Sequence, residues 1–269
     1  MTTSIDSDAP KPRTNPDELP FVAPCRRLEL AAPIRWLSLG WRDMRAAPRQ
    51  SFFYGVLLTL LSLLIAIASW RLGMVALYLG LASGFVFIGP ILAVGLYSIS
   101  YQLGIGRQPT LAYSLREGRA HLKDTLVLGI CLLVVLLVWA RAATILSVLR
   151  PSHALPSWRD LLPYFGFGSA VGAVFCAIIF SATAFALPML LDRRTDAITA
   201  VVTSINATLR NKGAMALWAA IIGIAVALGF ATMLSGFVVL LPLLGHATWH
   251  AYRETIDASL WPPTHDENA

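Results

Sequence analysis

The fold class this sequence predicts is all-α: a polytopic membrane protein of six transmembrane helices, arranged as three helix hairpins with amphipathic helices on the cytoplasmic side. Three observations predict it. Of the 269 residues 57% are hydrophobic and 13% charged, against about 25% charged in a soluble domain. Several apolar stretches reach the roughly 20 residues a helix needs to cross about 30 Å of hydrocarbon. The basic residues flank those stretches and form no domain of their own, as orientation signals do. The net charge of +6 therefore implies no nucleic-acid partner.

In chain order, residues 1–29 read as a disordered N-terminal tail, with Pro10, Pro12, Pro16, Pro20 and Pro24 among polar residues and too little apolar surface to offset ordering. Residues 30–260 form the transmembrane domain, and residues 261–269 a C-terminal tail. Leu30, Ile34, Leu37 and Trp41 recur at helical spacing opposite Arg35, Arg42, Asp43 and Arg45, which predicts an amphipathic helix lying in the membrane interface. The predicted spans are Phe52 to Trp70, Leu72 to Ser100, Leu126 to Leu149, Tyr164 to Leu191, and a run from Ala214 to Leu244. At about 1.5 Å per residue that last run reaches roughly 46 Å, too long for one crossing, so it divides near Gly229 and Phe230 into a fifth and a sixth span.

On this arrangement Lys and Arg concentrate before the first span, between the second and third, and between the fourth and fifth. Arg71, Arg141, Arg150 and Arg159 are left for the opposite side. The skew predicts a bacterial inner-membrane protein with both termini cytoplasmic. Trp36, Trp41 and Trp249 fall at the cytoplasmic interface and Trp70, Trp139 and Trp158 at the other. Three cysteines, Cys25, Cys131 and Cys176, show no paired or metal-type spacing.

Pairing the spans reveals three similar units. Each opens with a polar helix, "SLGWRDMR" from Ser38, "SLREGRAHLKD" from Ser114 and "SINATLRNKG" from Ser204, and each closes with an apolar run broken by Pro90, Pro188 or Pro242. A proline inside a helix strips the carbonyl four residues earlier of its partner, so Val86, Ala184 and Val238 must find another, either in bundle packing or along a cavity or hinge. Gly80 with Gly84, and Gly168 with Gly172, form small-xxx-small pairs that let helices approach closely.

The segments "WLSLGWRDM", "GPILAVGLYSISYQLGIGRQP", "INATLRNKGAMALW" and "LLPLLGHATWHAYRE" resemble a bacterial family of predicted integral membrane proteins known only as domain of unknown function 2189. The resemblance runs over roughly residues 30 to 260 and implies a six-helix inner-membrane protein, with no activity or catalytic residue to carry over. Some such sequences carry a label relating them to cytochrome oxidase subunit I. A haem-copper centre needs several histidines deep in different spans, whereas the five here are His121 on a polar helix, His153 in an outer loop, His265 in the tail, and His246 and His250 at the end of span six.

His246 and His250 are the residues that most resemble a cofactor site, because imidazoles four apart share a helix face and can chelate one metal. Two ligands do not complete a tetrahedral site, and Asp192, Glu117, His121 or Asp124 would have to converge on them. The competing reading makes the pair an interfacial anchor, with His250, Tyr252 and Arg253 at the headgroups. Arg141 either snorkels to the far surface or lies buried as a functional cation, and Asn206 and Asn211 are assigned to a solvated face.

No phosphate loop, nucleophile elbow, zinc-protease helix or dinucleotide fingerprint occurs. The function expected is non-enzymatic: an accessory, assembly or lipid-interacting protein with no cofactor, whose partners are membrane lipids and other inner-membrane proteins. Two alternatives stand beside it. One is a transporter or channel for a small amphipathic molecule, and the other a haem- or metal-binding respiratory accessory protein.

Overall fold

The computed structural model describes residues 20–72, 92–146 and 157–264. Pro90, Gly80, Gly84, His153, His265 and most of the second predicted span lie outside them. The described chain is all-helical. Its helices are α1 (Ala32–Ala46), α2 (Pro48–Leu72), α3 (residues 92–104), α4 (Leu111–Ala120), α5 (Leu122–Leu146), α6 (Trp158–Thr183), α7 (Ala186–Asp192), α8 (Ala197–Arg210), α9 (Lys212–Ala231) and α10 (Phe237–Thr255). Four stretches are long and apolar enough to cross a membrane: Pro48–Ala68, Thr125–Ile145, Trp158–Asp192 and Lys212–Ala231. α10 falls short of that measure because His246, His250, Arg253 and Glu254 occupy its second half.

The three polar openings take one local form. α1, α4 and α8 are short helices, each separated by a single residue, Ala47, His121 or Asn211, from the long helix that follows. In each case the N–H four residues on, from Ser51, Thr125 or Met215, returns to the carbonyl of that break residue, so the chain bends with that carbonyl paired. Thr110 caps α4, Asp196 caps α8, and Ser157 with Asp160 forms a capping box at the far end, where α6 begins.

The core gathers at the end of the bundle where those breaks lie, called here the polar end. Trp36, Trp218, Phe185, Met189, Met215 and Tyr252 are buried together there, whereas the long legs of α2, α5 and α6 expose Leu60, Leu64, Val134, Phe165 and Val174. Lipid explains the difference. Apolar side chains gain little by leaving hydrocarbon for each other, so legs in a bilayer associate through packing alone.

α1 buries a face other than the apolar stripe read as interfacial. Trp36, Gly40, Asp43 and Met44 face α10, and Leu30, Ile34 and Trp41 point outward. Gly40 decides the matter, since a Cβ there would lie 2.7 Å from the backbone nitrogen of Ala247. Only the glycine face lets the two helices come this close. Trp36 and Trp249 are accordingly buried, away from any interface.

Residues 20–29, assigned to the tail by composition, lie as an extended strap across the polar end. Ala23 N–H donates to Thr203 Oγ1, Arg26 N–H to the Thr255 carbonyl and Leu28 N–H to Asn211 Oδ1. At the other terminus, Trp261 is buried and Thr264 N–H donates to the Asp192 carbonyl.

Of the three prolines read as breaking the apolar runs, Pro188 and Pro242 are described, and they act differently. Ahead of Pro188 the helix breaks between α6 and α7, and Ser204 of α8 fills the gap. Its hydroxyl accepts from Phe185 N–H at 3.1 Å and donates to the Ser181 carbonyl at 2.7 Å, standing in for the helical bond between those two residues. Pro242 leaves α10 unbroken. The Val238 carbonyl it frees lies against Gly55 of α2, where a Cβ would sit 2.1 Å from the oxygen. Among the described residues, in contrast, a methyl at Gly168 or Gly172 would meet nothing within 4 Å, so neither joins a contact between described helices.

Gly55→Ala forces a methyl into the Val238 carbonyl, and overpacking of this kind costs about 1–3 kcal/mol. Thermal unfolding of the purified protein in mild detergent should show that loss, while Gly168→Ala should leave the transition where it was.

Candidate functional site

His246 and His250 sit on consecutive turns of α10, but different elements hold them. His246 is fully buried. Its Nε2 lies 2.9 Å from Ser51 Oγ on α2 and its Nδ1 2.8 Å from Ser100 Oγ on α3. Ser51 spends its own proton on the Ala47 carbonyl. Its oxygen therefore accepts from Nε2–H, and Nδ1 accepts the Ser100 hydroxyl proton. The ring is a neutral imidazole with both nitrogens occupied. Burial is the largest influence and pushes it down to about 4, with Asp43 opposing and His250 adding to the fall.

His250 Nε2 meets Asp43 Oδ2 of α1 at 2.7 Å. Beside this pair opens a cavity of about 420 Å³ lined by Arg42, Asp43, Ser100, Trp249, His250 and Arg253. Arg253 reaches Asp192 at 3.4 Å. The Arg42 guanidinium is exposed and has no ion-pair partner among the described residues. Positive charge is thus in excess around the opening.

Two further clusters frame this centre. Glu254 accepts from Arg35 and from Trp36 Nε1 at 2.9 Å. Burial pushes its carboxyl up, and the bonds from Arg35 and Trp36 outweigh that, so the net shift is downward. Asp192, at the end of α7, accepts from Tyr252 Oη at 2.7 Å and Arg193 Nε at 3.0 Å. These contacts, with Asp43–His250, tie α1, α7 and α10 together through three carboxylates.

The anchor reading does not survive for His246 or Tyr252, because both are buried in protein. Asn211 is likewise buried, holding the Leu28 N–H and the Arg26 and Ala207 carbonyls. Arg141 is exposed on α5, five residues before that helix's described end. Pro188 and Pro242 are buried in α7 and α10, Pro242 against Gly55 of α2. Asp192 lies in the Tyr252 cluster, while Glu117 and His121 pair with each other at 3.7 Å. Among the described residues no three His, Cys, Asp or Glu side chains come together as a metal would require, and a metal on His246 would have to displace a serine hydroxyl.

Sequence reading missed Ser51, Ser100, Asp43 and Glu254. A usable signal existed for the acids: few carboxylates occur in the apolar domain, and two of them fall on the helices at either end of the chain whose charges are complementary.

Four membrane-length apolar stretches joined to one compact polar end define a helical integral membrane protein. Residues 77–192 match the family described as "Predicted integral membrane protein (DUF2189)", the family that the chain's motifs resemble. The match is shorter than the residues 30 to 260 of the sequence resemblance, and the family has no known activity. No curated protein and no solved structure matches.

Titration of His246 should be visible in stability. Between pH 6.5 and about 4 the unfolded chain takes up a proton here that the folded chain refuses, so the folded state loses stability as pH falls through that window, by at most about 1.4 kcal/mol per pH unit. His246→Gln keeps both hydrogen-bonding roles and removes the titration. Its unfolding midpoint should fall less steeply from pH 6.5 to 5 than the wild type's, and parallel slopes would assign the pH dependence elsewhere.

Proposed function

We propose that this protein is a non-enzymatic accessory protein of the bacterial inner membrane that holds anionic lipid at its polar end, with both termini in the cytoplasm. The observation that carries the reading is the cavity between α1, α3 and α10, bordered by Arg42, which has no ion-pair partner among the described residues, by Arg253 and by the Asp43–His250 pair. A guanidinium fork matches phosphate oxygens two at a time. Apolar and aromatic groups stand where acyl chains would meet it: Leu30, Ile34 and Trp41 are exposed along α1, with Arg45 stacked 5.2 Å over Trp41. Exposed Arg27, Arg49, Arg116, Arg119, Lys123 and Arg210 extend the same charge around this end, and such a bias is the one that keeps a protein's basic face cytoplasmic.

A non-enzymatic role is supported by the chemistry of the buried chain. Ser100 and His246 have the hydrogen bond of a nucleophile and its base, but Ser100 is almost wholly buried. Burial also leaves the imidazole too weak a base for proton abstraction near neutral pH.

Reconstitution in nanodiscs of phosphatidylcholine with a small fraction of phosphatidylglycerol tests this reading. Native mass spectrometry should find phosphatidylglycerol retained over phosphatidylcholine. Arg42→Gln should weaken the retention by about 1 kcal/mol, roughly fivefold, and added salt should weaken it further. Equal retention of both lipids, or no change in the variant, would sink the proposal.

A further inference from the structure

We infer that the α9–α10 hairpin is a re-entrant insertion: it enters and leaves on the basic side, and its tip is a surface for acyl chains inside the bilayer, short of the far surface. The inference is independent of headgroup binding at the Arg42 cavity. Three observations carry it.

The first is register. α10 runs antiparallel to α2, with His246 against Ser51 and then Val238 and Pro242 against Gly55. Phe237, five residues before Pro242, therefore stands about level with Leu60, five residues after Gly55. From Leu60 to Arg71, α2 rises about 16 Å at about 1.5 Å per residue. One further turn of chain, Thr232 to Gly236, closes the hairpin above Phe237. If α2 crosses the bilayer from Pro48 to Ala68, the tip stops roughly 10 Å below the Arg71 end of α2.

The second is where α9 starts. In its first two turns one face packs into the polar-end core. Ala214, Met215 and Trp218 are buried, Trp218 packs edge-on against Trp36 at 5.6 Å, and Gly213 borders Leu30 ahead of α1. With that part of its length spent beside α1, about 20 Å of α9, from Trp218 to Ala231, is left to enter the membrane, short of the roughly 30 Å of a full crossing.

The third is the chemistry of the tip. No charged residue occurs between Lys212 and Arg253. Every backbone N–H from Thr232 to Phe237 is donated within the hairpin. Thr232 N–H goes to Leu228, Met233 N–H to Phe230, Leu234 N–H to Gly229, Ser235 N–H to Thr232, Gly236 N–H to Thr232 Oγ1 and Phe237 N–H to Leu234. The hydroxyls turn inward as well, Thr232 onto Leu228 and Gly229 and Ser235 onto Thr232. Met233 and Leu234 adopt left-handed φ values of 53° and 69° to close the turn, while the Met233 and Phe230 side chains are 86% and 63% exposed. A loop in water has no need to bond every donor internally or to present such side chains. A loop in hydrocarbon has need of both.

The test uses the full chain with Cys25, Cys131 and Cys176 replaced by Ala, reconstituted in sealed liposomes, with one cysteine introduced at a time. Gln108→Cys reports the basic side and Ser157→Cys the far side. Met233→Cys and Phe230→Cys report the tip. We expect membrane-impermeant maleimide to label each control from one side and to label neither tip position from either side. A spin label at the tip should be accessible to oxygen dissolved in the acyl chains and not to a water-soluble nickel relaxant. Labelling of Met233→Cys from the side that labels Ser157→Cys would overturn the inference in favour of two full crossings. Protection from both maleimide and oxygen would overturn it too, by placing the tip against protein.

Discussion

Pro242 withholds a backbone donor from α10 at the point of tightest packing, and the answer to that deficit fixes the position of α10 against α2. The freed Val238 oxygen lies over Gly55, the one kind of residue whose Cα–H face can come that near. Once Gly55 and Pro242 are level, residues one turn away on each helix meet as well. Ser51 precedes Gly55 by four and His246 follows Pro242 by four, so the serine hydroxyl arrives at the imidazole. Further along, Gly40 meets Ala247, Asp43 meets His250 and Trp36 meets Glu254. Each polar pair is at the right height because the proline and the glycine are.

Polar groups elsewhere at this end are also satisfied by side chains from remote parts of the chain. Ser204 bridges a helix break 19 or more residues away, Asn211 binds the strap 183 residues earlier, and Asp192 receives Tyr252 across 60 residues. Buried polar atoms without a partner are expensive, so each of these bonds specifies a tertiary neighbour. The same end contains the buried aromatic core. The described legs expose mostly apolar side chains, with little hydrophobic incentive to collapse onto one another in lipid, which leaves organisation of the bundle to the polar end.

Much of this was legible in residue spacing. The three openings at Ser38, Ser114 and Ser204 announced the repeated short-helix, long-helix units, and the prolines announced which carbonyls would need partners. The inward face of α1 was not legible from hydrophobicity, because Leu30, Ile34 and Trp41 are the greasier stripe and yet point outward. What selects the buried stripe is the absence of a side chain at Gly40. The His246 and His250 pair was conspicuous in sequence, but its partners Ser51, Ser100 and Asp43 are ordinary residues until the fold brings them close.

The α9 segment shows most clearly where composition runs out. Twenty consecutive residues from Lys212 satisfy every measure of a membrane span, since hydropathy counts how apolar a residue is and not what removes it from water. Trp218 and Met215 are removed by protein, and Phe230 and Leu228 face outward. One run of apolar sequence thus serves two environments in succession. The division between them is set by the height at which the run begins, and that height follows from the contact of Trp218 with Trp36 and of α10 with Gly55. Span length is a property of the segment alone. Depth is a property of what the segment is anchored to, so a helix fixed by its first turns within the polar end has less membrane left to cross than its length suggests.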